Sequence, residues 1–293
     1  MADNDNIERI KSLPLWRGEI ELEPLSGGIT NVNYLVQDGK QKFVVRLGSD
    51  IIEHQVMRFN ELAASKAAFA AGLSPEVIHS EPGVLVLKYI PSKPLDDEQV
   101  RDPENLPAII TLIRKCHIEI PQYLRGPALI FWVFHVLRDY VWTLKEGQSP
   151  HMPRLAGLLE AADRLEAAAR PYQMVFGHND LLAANIIDDG QRLWLVDWDY
   201  AGFNSPLFDL GGLASNNQFD EAQEQFLLEN YFDKPLDDGL WHRYQAMKCA
   251  SLLRETMWSM VSEIHSAIEF DYAAYTQENL TRFEQAYDAF QQS

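Results

Sequence analysis

Residues 178–197 read HNDLLAANIIDDGQRLWLVD. Ile186-Ile187, the turn Asp188-Asp189-Gly190 and Leu193 to Val196 have the pattern of strand, turn and strand. Polar residues stand at the ends of these short apolar strands: His178, Asn179 and Asp180 before the hairpin, Asp197 after it. Asp180 is placed to accept or orient the proton of an attacking hydroxyl. Asn185 and Asp197 offer oxygen ligands of the kind Mg²⁺ takes together with water and phosphate oxygens. Phosphoryl transfer needs positioning and cations more than covalent help from the protein. Each of these residues alone is an ordinary turn former; their joint spacing points to phosphoryl transfer.

Outward from this stretch, the chain divides into two compositional halves. Residues 1–90 are strand-rich. Glu19 to Leu25 and Asn33 to Gln37 read as strands on either side of Ser26-Gly27-Gly28, and Asp38-Gly39 turns into a third strand over Lys42 to Leu47. A helix is expected over Glu53 to Ala71, stopped by Gly72. Two more strands, Val77 to His79 and Val84 to Tyr89, flank Glu81-Pro82-Gly83. The polar stretch Pro91 to Asp97 reads as a linker, with a hinge near residues 87–95. Residues 91–293 then form a mainly helical second unit. Leu155, Leu158, Leu159, Ala162 and Leu165 recur at helical spacing up to Pro171. Helices are also expected over Glu221 to Asn230, Trp241 to Ser266 and Tyr272 to Phe290.

Composition narrows the partners. The 293-residue chain is 46% hydrophobic and 23% charged, ordinary globular usage, with a formal charge of −18. A basic footprint for nucleic acid is missing, and the negative field favours a cationic ligand. The most apolar stretch, Pro127 to Leu137, is too short to span a membrane and includes His135. The polar start, Met1 to Ile10, has no signal-peptide pattern. Cys116 and Cys249 fit neither a disulfide framework nor a thiolate metal site. These features together suggest a cytoplasmic protein. No G-x-x-x-x-G-K-[ST] occurs, which disfavours a Walker-type NTPase.

The pattern H-x-D-x-x-x-x-N, a hairpin and then Asp resembles the catalytic signature of the aminoglycoside phosphotransferase and choline kinase superfamily, small-molecule relatives of protein kinases. The resemblance implies a bilobal α+β, protein-kinase-like fold and an ATP- and Mg²⁺-dependent kinase. It makes Asp180 the catalytic aspartate and Asn185 and Asp197 the metal ligands. The chain departs from protein kinases with Asn179 in place of Arg and Trp198-Asp199 in place of Phe-Gly. In the first lobe, Ser26 to Asn31 resembles a phosphate-covering loop, which would bring Gly27, Gly28, Thr30 and Asn31 to the nucleotide. Arg46, in Val44-Val45-Arg46-Leu47, stands where choline kinases carry Arg and would reach the phosphates, with Glu61 as its helix partner. Leu87 to Ile90 resembles the hinge, with Lys88 and Ile90 meeting adenine through the backbone.

The acceptor is read from farther along. Asp197 to Asn204 followed by Phe208-Asp209-Leu210, and Trp258-Ser259-Met260-Val261 followed by Ile268 to Tyr275, resemble choline/ethanolamine kinases, as does Trp132-Val133-Phe134. The resemblance implies a pocket of Trp132, Tyr200, Trp258 and Tyr275 with the carboxylates of Asp199 and Glu255. Aromatic faces attract a quaternary ammonium by ~0.5–2 kcal/mol each. Choline is therefore the expected acceptor; ethanolamine, thiamine, an amino sugar or an aminoglycoside is the alternative, and an inactive kinase-like binding protein is the rival from another class. Glu255 stands where the family often has a second tryptophan, and Asn216 where it often has an acid.

Overall fold

The computed structural model describes residues 2–25, 31–266, 268 and 270–292. The chain begins with α1 (Ala2–Lys11), then β1 (Ile20–Leu25), β2 (Val32–Asp38), β3 (Gln41–Leu47), α2 (Arg58–Ala70), β4 (Val77–Glu81) and β5 (Val84–Lys88). The five strands form one antiparallel sheet in the order β1-β2-β3-β5-β4. Asp38 pairs with Gln41 across a turn in which Gly39 has φ +60°, a conformation cheap only for glycine. Tyr34 and Val36 of β2, with Phe43 and Val45 of β3, alternate into a small core. α1 closes that core: Ile10 is fully buried there, which stabilises by about 1.5–3 kcal/mol.

The helix expected over 53–71 is shorter than the pattern suggested. Ile51 and Val56 pair as a bridge, Gln55 takes φ +58°, and residues 52–54 form only a 3₁₀ turn. The regular helix starts at Arg58. This excursion carries His54 away from the sheet. The apolar face of α2, with Ala64, Ala67 and Ala68, also leaves the sheet and joins the large core of the second lobe. The two cores therefore do not divide the chain at residue 90.

The second lobe holds β6 (Lys93–Pro94), α3 (Asp97–Arg101), α4 (Leu106–Glu119), α5 (Val133–Glu146), α6 (Leu155–Ala168), β7 (Val175–Gly177), β8 (Ile186–Asp188), β9 (Leu193–Leu195), β10 (Gly202–Asn204), α7 (Pro206–Asn216), α8 (Glu221–Phe232), α9 (Asp238–His265) and α10 (Tyr272–Gln292). The supposed linker is partly ordered as β6, paired with β8. The expected hairpin is β8–β9. α9 is 28 residues long and buried around much of its circumference, packing against α5, α6, α7 and α10. At its crossing with α7, a Cβ on Gly211 would lie 2.8 Å from the Lys248 Cα, so only glycine allows this approach.

Candidate active site

Asp180 follows a loop fixed at both ends. Asp209, at the start of α7, accepts hydrogen bonds from the backbone N–H groups of His178 (2.8 Å) and Asn179 (2.7 Å) and sits 2.9 Å from His117 Nε2. Burial alone would raise its pKa, but the His117 hydrogen bond and the backbone donors hold the carboxyl below its ordinary range. Gly177 is required here, since a Cβ would come within 2.9 Å of Asn179 Oδ1. Asn179 has φ +64° and donates from Nδ2 to the carbonyls of Tyr200 (2.9 Å) and Gly202 (3.1 Å). It thus ties the loop to the segment after Asp197, a local reason for Asn at this position. His178 is buried, hydrogen-bonded through Nε2 to the Val196 carbonyl at 2.9 Å and packed on Trp198. Burial lowers its pKa, against the opposing charge of Asp209.

The three central residues converge. Asn185 donates from Nδ2 to the Asp180 carbonyl at 3.0 Å, which leaves Oδ1 as the atom that could meet a cation. The Val196 N–H meets the Asn185 carbonyl at 3.0 Å, so Asn185 and Asp197 are held at adjoining strand ends. This oxygen-only pair fits Mg²⁺, which takes its other ligands from phosphate and water. Among the described residues there is no self-sufficient group of three or more His, Cys, Asp or Glu for a metal. Asp180 is only partly covered, yet it stands deep in the cleft. Burial of its surroundings, opposed by Arg254 and reinforced by Glu255, Asp197 and Asp199, pushes its carboxyl up to about 7.

Arg46 and Glu61 pair as expected, Nε to Oε1 at 3.1 Å. Arg46 Nη2 also reaches Asp197 (2.9 Å) and Asp199 (3.1 Å). Arg58, not anticipated from the sequence, adds a second guanidinium: its Nη1 lies 2.7 Å from Glu61 and 2.9 Å from Asp199. Asn31 donates to the other Asp199 oxygen at 2.7 Å. Asp199 is thus turned toward the first lobe and bound there by Arg46, Arg58 and Asn31 among the described residues, which corrects the expectation that it faces the ammonium. Gly27, Gly28 and Thr30 lie outside the described residues. At the hinge, the Lys88 N–H is held by the Glu76 carbonyl (2.8 Å), and the Ile90 carbonyl accepts from Ser92 Oγ (2.9 Å), which narrows what these two residues can offer adenine.

Three of the four expected aromatics come together. Trp258 Nε1 donates to the Tyr200 hydroxyl at 2.8 Å, and the Trp258 and Tyr275 rings meet edge-on at 6.5 Å. The Tyr275 hydroxyl donates to Glu255 Oε1 at 2.7 Å. Glu255 and Asp180 line one narrow cavity with Asn179, Asn216 and Arg254, while Trp258 lines a separate one with His54 and Tyr272. Trp132 goes elsewhere: its indole donates to Glu166 at 2.9 Å and packs on Tyr172 and Phe134, serving the α5–α6 contact. Two residues of this pocket escaped the sequence reading. His54 stacks on Trp258 at 4.9 Å, and the Arg254 guanidinium lies 4.2 Å from the Tyr200 ring centre. Arg254 adjoins the motif residue Glu255, the one available signal; His54 had none, because its expected helix would have placed it differently.

Comparison with known proteins agrees with this geometry. A family model described as Choline/ethanolamine kinase matches residues 22–231. Protein LicA of Haemophilus influenzae is 26% identical over 267 residues, covering 84% of this chain and 75% of that protein. Ethanolamine kinase 2 of Mus musculus is 27% identical over 299 residues, covering 89% and 75%. The crystal structure of a choline/ethanolamine kinase family protein from Mesorhizobium loti superposes with a TM-score of 0.78 at 27% identity, covering 98% of this chain and 95% of that one. The described residues contain no helix long and apolar enough to cross a membrane. The chain belongs to the choline/ethanolamine kinase family, phosphotransferases that phosphorylate an alcohol.

Proposed function

We propose that this kinase transfers the γ-phosphoryl group of ATP to the hydroxyl of a small amino alcohol, choline or ethanolamine. The observation that carries the reading is the narrow cavity shared by Asp180 and Glu255, with Tyr275 hydrogen-bonded to Glu255 and the Trp258 ring against Tyr275. Asp180 takes the hydroxyl proton as the acceptor oxygen attacks. The bond from the γ-phosphorus to the β–γ bridging oxygen breaks, and a new bond to the acceptor oxygen forms, giving ADP and a phosphomonoester. Asn185 and Asp197 hold Mg²⁺, which when bound neutralises charge on the phosphates. Arg46 and Arg58 supply further positive charge at the phosphate end. The hinge near Lys88 and Ile90 takes adenine. Glu255 balances the ammonium.

Choline is the reading favoured by the aromatic group Tyr200, Trp258 and Tyr275. Ethanolamine is favoured by Glu255 itself, since a carboxylate accepts the hydrogen bonds that only a primary ammonium donates. Cys116 and Cys249, both free and buried, suit the reducing cytoplasm as the place of work. ATP turnover with each amino alcohol, with and without Mg²⁺, tests the reading. Asp180→Ala should lower kcat by about 10²–10⁴-fold with the fold intact. Turnover with neither alcohol, or an undiminished Asp180→Ala enzyme, would refute it.

A further inference from the structure

Arg254 has no part in the reaction as described, yet it stands in the wall of the acceptor cavity with Asp180, Ser251 and Glu255. It projects from α9 and is 4% exposed. Its Cζ lies 4.2 Å from the centre of the Tyr200 ring and 5.7 Å from that of Phe131. Nη1 donates to Glu255 Oε2 at 2.9 Å. Nε and Nη2 are buried without a hydrogen-bond partner among the described residues. A cation over an aromatic face, walled from water and balanced by a carboxylate, is the arrangement by which such a pocket would hold a ligand's ammonium. Here the protein's own guanidinium fills it.

The consequence differs for the two ammonium types. A quaternary ammonium has no N–H and depends on ring faces. The Tyr200 face is already covered by Arg254, a like charge that repels a second cation. One face of Trp258 is covered by His54, stacked at 4.9 Å and 27°. A primary ammonium needs no ring face. It donates hydrogen bonds, and an ionised carboxylate offers about four lone-pair sites. Glu255 accepts from Arg254 and from the Tyr275 hydroxyl and keeps further capacity.

We propose that Arg254 is a specificity-determining residue of the acceptor site: an internal cation on the Tyr200 face that excludes a trimethylammonium head and directs the pocket to a primary ammonium held by Glu255. The proposal rests on the amino-alcohol reading and deepens it by choosing ethanolamine over choline.

The test compares the wild-type enzyme with Arg254→Met, which keeps the stem and loses the charge, and Arg254→Lys, which keeps a charge. In the wild type, kcat/KM for ethanolamine should exceed that for choline, and tetramethylammonium should not compete with ethanolamine. In Arg254→Met the choline-to-ethanolamine ratio should rise by roughly tenfold or more, the size of one desolvated cation–π contact, chiefly through the choline KM. Arg254→Lys should keep the wild-type preference. An unchanged ratio in folded Arg254→Met, or a wild-type preference for choline, would overturn the proposal. If Arg254→Met does not fold, the wild type still decides: competitive inhibition by tetramethylammonium near the ethanolamine KM would sink the idea, and its absence would support it. If the wild type phosphorylates neither alcohol, the amino-alcohol reading has failed. Calorimetric binding of tetramethylammonium, gained in Arg254→Met or not, then judges Arg254 separately.

Discussion

His54 shows how a residue outside every motif enters the site. It is 4% exposed, stacks on Trp258, and its ring nitrogens lie 3.0 Å from Ser262 Oγ and 3.4 Å from the Tyr140 hydroxyl. Burial, helped by the Arg254 and His265 charges, pushes its pKa down to about 3. Native His54 therefore stays neutral where the unfolded residue, near its ordinary 6.5, takes a proton. Its stabilising contribution is whole above pH 6.5 and declines as the pH falls toward 3, by up to about 1.4 kcal/mol per pH unit. Between pH 6.5 and pH 5 the loss is about 2 kcal/mol. Urea midpoints at pH 7.5 and pH 5 should show this drop in the wild type and less of it in His54→Gln. Equal drops would mean that native His54 accepts the proton.

At the scale of elements, what the sequence makes legible follows length and periodicity. The hairpin β8–β9, the strands β1–β5 and the long helices α9 and α10 carry patterns that repeat over many residues, and their boundaries move by only a few positions. The strands β7 and β10, three residues each, have no room for alternation and appear only once folding pairs Gly177 with Gly202. The late start of α2 at Arg58 was hidden because residues 53–57 are compatible with a helix and are overruled by the Ile51–Val56 bridge. The crossing of α7 on α9 matters most for the site, since α7 carries Asp209 and α9 carries Arg254, Glu255 and Trp258. Gly211→Ala should widen that crossing, because its Cβ meets backbone and not a movable side chain. The expected destabilisation is about 1–3 kcal/mol, read from the urea midpoint. Unchanged stability would show that α7 can shift freely on α9.

For the whole molecule, the ion group around Asp199 is the polar joint between the lobes. Arg46, Arg58, Glu61 and Asn31 come from one side, Asp197 and Asp199 from the other. Asn60 reinforces it, donating to the Ala201 carbonyl at 2.7 Å. Asp199, Glu61 and Arg46 are all nearly inaccessible, so added salt screens this joint weakly. Asp199→Ala would leave the buried Arg46 and the half-buried Arg58 guanidinium each short of a partner. A loss of about 3–5 kcal/mol is expected, the cost of breaking a buried ion pair from one side. Thermal and urea unfolding measure it directly. A loss below 1 kcal/mol would mean that the lobes do not hold this contact in solution.

The sequence by itself determined what lies close along the chain. Asp180, Asn185 and Asp197 fall within one loop and one hairpin, where few backbone angles separate them, so spacing alone constrains their geometry. Arg46 and Glu61 were legible through the family resemblance of the strand Val44 to Leu47 and the helix after it. Tertiary structure decided which way each side chain turns between distant elements. Asp199 faces the first lobe, Trp132 joins α6, and Arg254 lies on Tyr200. These contacts span tens to hundreds of residues and depend on which helix face packing turns inward, a choice that neighbouring residues along the chain do not make.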